Sequence, residues 1–160
     1  KNKAELRALP VVQSTLRSIA EGGFVEAVIR MLILLAGSRG AVRRDRLERS
    51  ARVLTQDAPF RNVSAEQRAM IIHEQTLIVE FEPERAIETL PQLLDTREER
   101  ELAVQVAQYV PGAIEEMAPH TLEMLQRFHS VLGLPPVAED IADDPLRRPG
   151  AADRIGTAAE

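Results

Sequence analysis

The stretch Phe24-Val25-Glu26-Ala27-Val28-Ile29-Arg30-Met31-Leu32-Ile33-Leu34-Leu35-Ala36 decides the fold. Apolar side chains occur on almost every side of a helix built from it, so it has no face to offer to water and belongs at the centre of a helical domain. Arg30 interrupts the run, which is far shorter than the ~20 apolar residues that cross a bilayer. Gly22-Gly23 precedes the stretch and Gly37-Ser38-Arg39-Gly40 ends it, both in residues that favour turns.

Helix signals continue on both sides. Pro10 is suited to a first helical position, with Val11, Val12, Leu16 and Ile19 following at helical spacing. A helix over Arg43 to Leu54 carries Leu47, Ala51 and Leu54 on one face. Ser64 and Gln67 form a capping box that opens a helix to about Glu80, and Thr96 and Glu99 form a second, opening Arg97 to Tyr109. Between them Pro83 starts a short helix over Glu84 to Leu94, which Pro91 kinks or splits. Pro119 opens the last helix, and Gly133-Leu134 followed by Pro135-Pro136 closes it in a Schellman-type stop. No segment alternates like a strand. The expectation is an all-α bundle of about seven helices, with one domain over residues 1–134. The tail, 135–160, is rich in Ala, Asp, Pro and Arg, and the reading expects it to be flexible.

Composition agrees. The chain has 160 residues, 44% of them hydrophobic, with one Tyr, four Phe and no Trp, so Leu, Ile, Val, Ala and Met must build the core. The net charge of −5 offers no general attraction to nucleic acid or anionic lipid. Cysteine is absent, which excludes disulfides, thiolate nucleophiles and cysteine-bound zinc. With no basic segment leading into an apolar one, no signal peptide is read, and the expected location is the cytoplasm. The opening Lys1-Asn2-Lys3 lacks Met, and the chain is expected to be a piece of a longer protein.

Two stretches repeat one pattern. Gly40-Ala41-Val42 and Gly112-Ala113-Ile114 each follow a helix and precede another, with a Gly free to take a turn conformation and a β-branched residue two places on. The repetition suggests two related helical halves about a pseudo-twofold axis. The pattern resembles the TerB-like domains, named for a tellurite-resistance protein, over roughly residues 23–134, and Val131-Leu132-Gly133-Leu134 resembles the close of their second half. The runs Arg30 to Leu35, Arg43 to Ser50 and His73 to Leu77 resemble more narrowly the C-terminal region of large bacterial proteins related to polyhydroxyalkanoate synthases. There an α/β-hydrolase-like part precedes a TerB-like tail. The resemblance implies an all-helical accessory module, with any hydrolase nucleophile outside this piece. In TerB-like domains an Asp precedes each Gly, and an acid in the following helix completes a metal site. Here Arg39 and Pro111 stand before the glycines, and Arg46 and Thr121 fall near the acidic positions.

Among candidate functional residues, Glu74 places a carboxylate in an apolar stripe with Met70, Leu77 and Ile78. A carboxylate there must be paired with an Arg such as Arg30 or Arg46, or serve as a ligand or acid/base group. His73-Glu74 starts like the zinc-protease motif, but Leu77 occupies the second histidine position. Glu115, Glu116, His120 and Glu123 gather oxygen and imidazole ligands that suit a divalent cation, against the alternative of a solvated acidic helix start. His120 and His129 lie on opposite faces of one helix and cannot share a metal without a bend. Arg43, Arg44, Arg46 and Arg49, with Arg39 and Arg52, form a basic stretch. It reads as a salt-bridged solvated face (Asp45 with Arg49, Glu48 with Arg52) or as a grip on phosphate or an acidic partner. Without interleaved aromatics it does not read as a nucleic-acid surface. Gly37-Ser38-Arg39-Gly40 matches neither a nucleophile elbow nor a phosphate loop.

The sequence therefore favours a non-catalytic module for docking, assembly or regulation. Its partner would be the rest of a parent polypeptide or another protein, a membrane-associated complex included. No cofactor is expected. The alternatives are a metal- or anion-responsive domain, with a divalent cation as its ligand, and a helical enzyme using Glu74 and His73.

Overall fold

The computed structural model describes the backbone of residues 2–38 and 44–156, and the side chains of 2–37 and 48–156. Nine α-helices occur among the described residues: α1 Lys3–Arg7, α2 Pro10–Arg17, α3 Phe24–Ser38, α4 Arg44–Gln56, α5 Ala65–Phe81, α6 Pro83–Glu88, α7 Leu90–Leu93, α8 Arg97–Tyr109 and α9 Pro119–Val131. Single 3-10 turns lie at Phe60–Asn62, Ile114–Glu116, Pro145–Arg147 and Ala152–Arg154. The all-α expectation holds. The helices beyond the expected seven are the short α1 and the division of the Pro83–Leu93 segment into α6 and α7, with Pro91 in the first turn of α7. None of the described helices is long and apolar enough to cross a membrane.

The apolar stretch sets the layout. Helix α3 packs against α5, α7, α8 and α9, and its Ala27, Val28, Ile29 and Met31 are fully buried. The main core adds Leu90 and Leu94, Leu102 and Val106 from α8, and Leu125 and Phe128 from α9. A second cluster of Val12, Leu16, Ile19, Ile78 and Ala86 joins α2 to α5 and α6.

Arg30 is wholly buried between these clusters. Its Nε donates to Gln75 Oε1 at 2.7 Å, Nη1 to the Ala86 carbonyl at 3.2 Å and to Thr89 Oγ1 at 2.9 Å, and Nη2 to the Ile19 carbonyl at 2.7 Å. One guanidinium thus ties α3 to α5, to the α6–α7 joint and to the segment after α2. Burial lowers its pKa to about 10, partly offset by the nearby Glu26 carboxylate, so it is charged at neutral pH.

The helix ends show where local chemistry suffices. Ser64 and Gln67 complete a reciprocal capping box. Gly133, at φ 70°, closes α9 in a Schellman motif, Leu134 N donating to the His129 carbonyl at 2.8 Å and Gly133 N to that of Ser130 at 3.1 Å. The Thr96 box is only half made. Thr96 Oγ1 caps the Glu99 N–H at 3.1 Å, but the Glu99 carboxylate does not return to the Thr96 N–H: its Oε1 lies 3.5 Å from Thr96 Oγ1, and its Oε2 accepts the Gly156 N–H at 2.9 Å.

That last bond belongs to a larger correction. Residues 137–156, part of the segment read as a flexible tail, lie as a strap across α8. Leu146 and Ala151 are buried, and Val137, Ile141 and Ile155 pack on the main core. Gln126 exchanges two hydrogen bonds with the Val137 backbone, at 3.0 and 3.5 Å, and Gln108 Nε2 donates to the Glu139 carbonyl at 2.6 Å. Apolar residues spaced four to nine apart carry no periodic signal, yet each finds a gap on a surface already built.

Replacing Arg30 by Met should cost about 3–5 kcal/mol, because it strands the Ile19 and Ala86 carbonyls and Gln75 Oε1 without a donor. Denaturant unfolding monitored by circular dichroism measures it, and a loss within experimental error would deny Arg30 this role.

Candidate functional site

Helix α5 mixes apolar and polar residues around its whole circumference, so burying one face leaves apolar side chains exposed on another. Its inner face carries Gln75 and Ile78. Its outer face runs through Met70, His73, Leu77 and Phe81, spaced by three or four residues over about 16 Å. Met70 is 63% exposed. His73, Leu77 and Phe81 of this face, with Lys3, Leu6, Leu9, Val11 and Val12, line an open groove of about 480 Å³ walled by α1, α2 and α5. Val11 is 61% and Leu6 38% exposed, unusual for aliphatic side chains set beside one another. Lys3 and Glu80 face each other at 3.8 Å at its edge. His73 is exposed and lines the groove.

Glu74 does not. It is half-buried rather than enclosed, and the buried polar residue of α5 is its neighbour Gln75, 4% exposed, which receives Arg30. The expected Arg30–carboxylate pair is therefore corrected to an arginine–amide bond one residue further on. In a helix whose apolar residues are spread around its circumference, a stripe can be drawn through either residue, and only the position of α3 selects between them.

Of the basic stretch, Arg43 lies outside the described residues, as do the side chains of Arg44 and Arg46. Arg49 and Arg52 are half-buried rather than on a solvated face. Both guanidiniums lie near the Tyr109 ring, their carbons 5.9 and 6.0 Å from its centre. Arg49 Nε donates to the Val110 carbonyl at 2.9 Å, and Arg52 Nη2 to the Tyr109 hydroxyl. Gly112, at φ 99°, leaves room for Arg49: a Cβ there would meet Arg49 Nη2 at 3.0 Å. In the first half, Gly40-Ala41-Val42 lies outside the described residues.

The candidate metal ligands are spread along the surface. Glu115 and Glu116 sit exposed on a 3-10 turn, and His120 and Glu123 on α9. His120 Nδ1 and Glu123 Oε2 are 3.5 Å apart with side chains 80% and 75% exposed. Among the described residues no three His, Asp or Glu side chains are grouped to hold a metal ion.

The sequence reading missed the most polar buried cluster. Asp57, after α4, and Asp144, in the strap, are 3% and 7% exposed. Arg147 Nε donates to Asp57 Oδ1 at 2.8 Å and lies 3.7 Å from Asp144 Oδ2. Asp144 Oδ1 accepts the Leu146 N–H at 3.0 Å, while Oδ2 of each Asp has no other hydrogen-bond donor. Two enclosed carboxyls thus face one guanidinium, and a proton on one of them balances the charge. Burial raises Asp144 to about 6, helped by its hydrogen bond with Asp57 and opposed by the Leu146 N–H and Arg147. The only signal in the sequence was Asp144-Pro145, a turn-favouring pair within a tail that looked unattached.

No known protein family, curated protein or solved structure matches this chain.

The Asp144 pKa is higher folded than unfolded, so the fold binds the proton more tightly and loses stability as pH rises from about 4 to above 6. Asp144→Asn holds the site in its neutral form, with an N–H to give Asp57. It should flatten that slope and raise stability at pH 7.5 by about 1–3 kcal/mol. Urea unfolding of both proteins between pH 4 and 8 reads this, and parallel pH profiles would refute the shared proton.

Proposed function

We propose that this chain is a non-catalytic docking module, and that the groove between α1, α2 and α5 is where it holds its partner. The exposure of Leu6 and Val11 in an apolar furrow lined also by Leu9, Leu77 and Phe81 carries the reading. A groove following some two turns of α5 suits an amphipathic helix that inserts aliphatic side chains at i, i+3 or i+4, and i+7. That helix belongs to a partner polypeptide or to another part of a longer parent protein. Lys3, His73 and Glu80 at the edge offer both signs of charge, so the groove suits an apolar anchor flanked by mixed charges. The resemblance to TerB-like accessory modules, and to tails of polyhydroxyalkanoate-synthase-related proteins, supports the same reading. So does Gly112, whose positive φ sits where the resemblance asks for a permissive glycine after α8.

A photo-crosslinking side chain placed in living cells at Val11 or His73 should capture one discrete polypeptide through an apolar helical segment. The same probe at Glu66, outside the groove, should not. Val11→Lys with Leu6→Lys should abolish capture from a probe at His73 while changing stability by less than about 1 kcal/mol, since both sites are exposed. Equal crosslinking from every position would end the docking reading.

The second reading is a metal-responsive domain of the tellurite-resistance type, and the His120–Glu123 pair is the observation that favours it. A cation present at a hundred times its dissociation constant adds about 2.7 kcal/mol. The docking reading expects no divalent cation to raise the unfolding temperature. A rise with one cation, lost in His120→Ala, would replace it.

A further inference from the structure

The strap walls a second recess that shares no residue with the groove. It is an open pocket of about 430 Å³, bounded by Arg49 and Arg52 of α4, the Tyr109 end of α8, the Gly112 turn and strap residues 140–142. Its positive side is built on one ring. The Arg49 and Arg52 guanidinium carbons lie 5.9 and 6.0 Å from the Tyr109 ring centre, as residues three apart on one helix face can. Tyr109 is 6% exposed, so the ring on which both arginines rest is held by the core.

Arg52 carries a charge that the chain does not compensate. Its side chain is half-buried, and among the described residues no carboxylate pairs with it. Nη2 donates to the Tyr109 hydroxyl, and Nε is enclosed without an acceptor. Nη1 is neither bonded nor enclosed, so it is the part of the fork left to the recess. The hydroxyl that accepts from Nη2 keeps its own hydrogen, for which the described residues supply no acceptor. Two donors thus stand side by side, joined through one hydrogen bond, on a guanidinium that burial has partly stripped of water. A charge in that position gains from an anion brought to it. Asp140, exposed at the rim, is not that anion: its Oδ1 accepts the Ile114 N–H at 2.8 Å.

We propose that this recess binds a carboxylate carried on a short aliphatic chain. The carboxylate accepts from Arg52 Nη1 and from the Tyr109 hydroxyl, and its chain covers Ala113, Ile141 and Ala142, which supply the apolar lining. One uncompensated guanidinium matches one negative charge. A phosphate dianion brings a second charge toward Asp140, and a neutral amide of the same shape leaves the guanidinium unpaired. Because the recess and the groove have no residue in common, partner capture at one and carboxylate binding at the other are lost by different substitutions.

The test is a titration of the intact chain with sodium butyrate at constant ionic strength, followed by amide NMR, with sodium chloride, butyramide and inorganic phosphate as comparisons. Saturable shifts at residues 49–52, 109–113 and 140–142 are expected from butyrate, and none from chloride or butyramide. Arg52→Gln should weaken binding about tenfold, the equivalent of 1.4 kcal/mol. Ala142→Glu, at an exposed position lining the recess, sets a fixed carboxylate against the site and should weaken binding as well, with both donors intact. Each variant is first shown to unfold like the parent chain, and Ala142→Glu decides alone if Arg52→Gln does not fold. N-acetylalanine titrated in parallel identifies the source: tighter binding than butyrate assigns the site to the C-terminal carboxylate of a polypeptide, weaker binding to a free aliphatic acid. Absence of saturation, equal binding of butyramide, tighter binding of phosphate, or unchanged affinity in either folded variant overturns the proposal.

Discussion

A fully buried guanidinium organises this protein. Arg30 sits in the middle of its most apolar helix with no carboxylate bonded to it, and meets the cost of burial with four neutral acceptors from three separate segments. Removing a charge from water costs several kcal/mol even after relaxation. The arrangement persists because the rigid fork of an arginine can satisfy several carbonyls that no other element reaches. The Ile19 and Ala86 carbonyls belong to the small cluster around α2, and Arg30 itself to the helix at the heart of the main core. Each cluster is positioned by the other through this one side chain.

That constraint propagates to α5. Once Gln75 faces Arg30, the opposite side of the helix must carry Met70, His73 and Leu77 outward, and the groove follows. Its exposure is thus the remainder of a helix with apolar residues on every side after one face has been committed. The strap repeats the logic at the other end of the chain. Its few apolar residues and its two bonded glutamines cover α8 and α9, enclose Asp144 against Asp57, and wall the recess beside Tyr109. Both concave surfaces arise where a late-docking terminal segment meets a helix already fixed in the core.

Much of the fold was legible because its signals are local. Ser64, Thr96 and Gly133 mark helix ends through bonds that span only a few residues, Pro10 and Pro119 through the fixed φ of the proline ring, and all five do so here. The candidate site was legible only in fragments. His73 was singled out and does line the groove, but as an edge residue rather than as a ligand or base. Glu74 was chosen over Gln75 because helical periodicity cannot distinguish neighbours when apolar residues are spread over every face. Arg49 and Arg52 were read as solvated because i, i+4 charge pairing is visible in sequence, whereas a tyrosine some sixty residues away is not. Asp57 and Asp144 gave no warning, since two acids far apart in the chain become neighbours only when something encloses them together.

What the sequence by itself determined, then, is the class of structure: an all-helical chain centred on residues 24–36, with helices opened and closed by residues that cap them. Backbone hydrogen bonding and the period of apolar residues decide those features within a few turns of chain. Only the tertiary structure decided which polar residue Arg30 meets, which face of α5 stays exposed, and that residues 137–156 pack on the helices. Those outcomes depend on enclosure and on long-range shape, and neither is a property of any short segment.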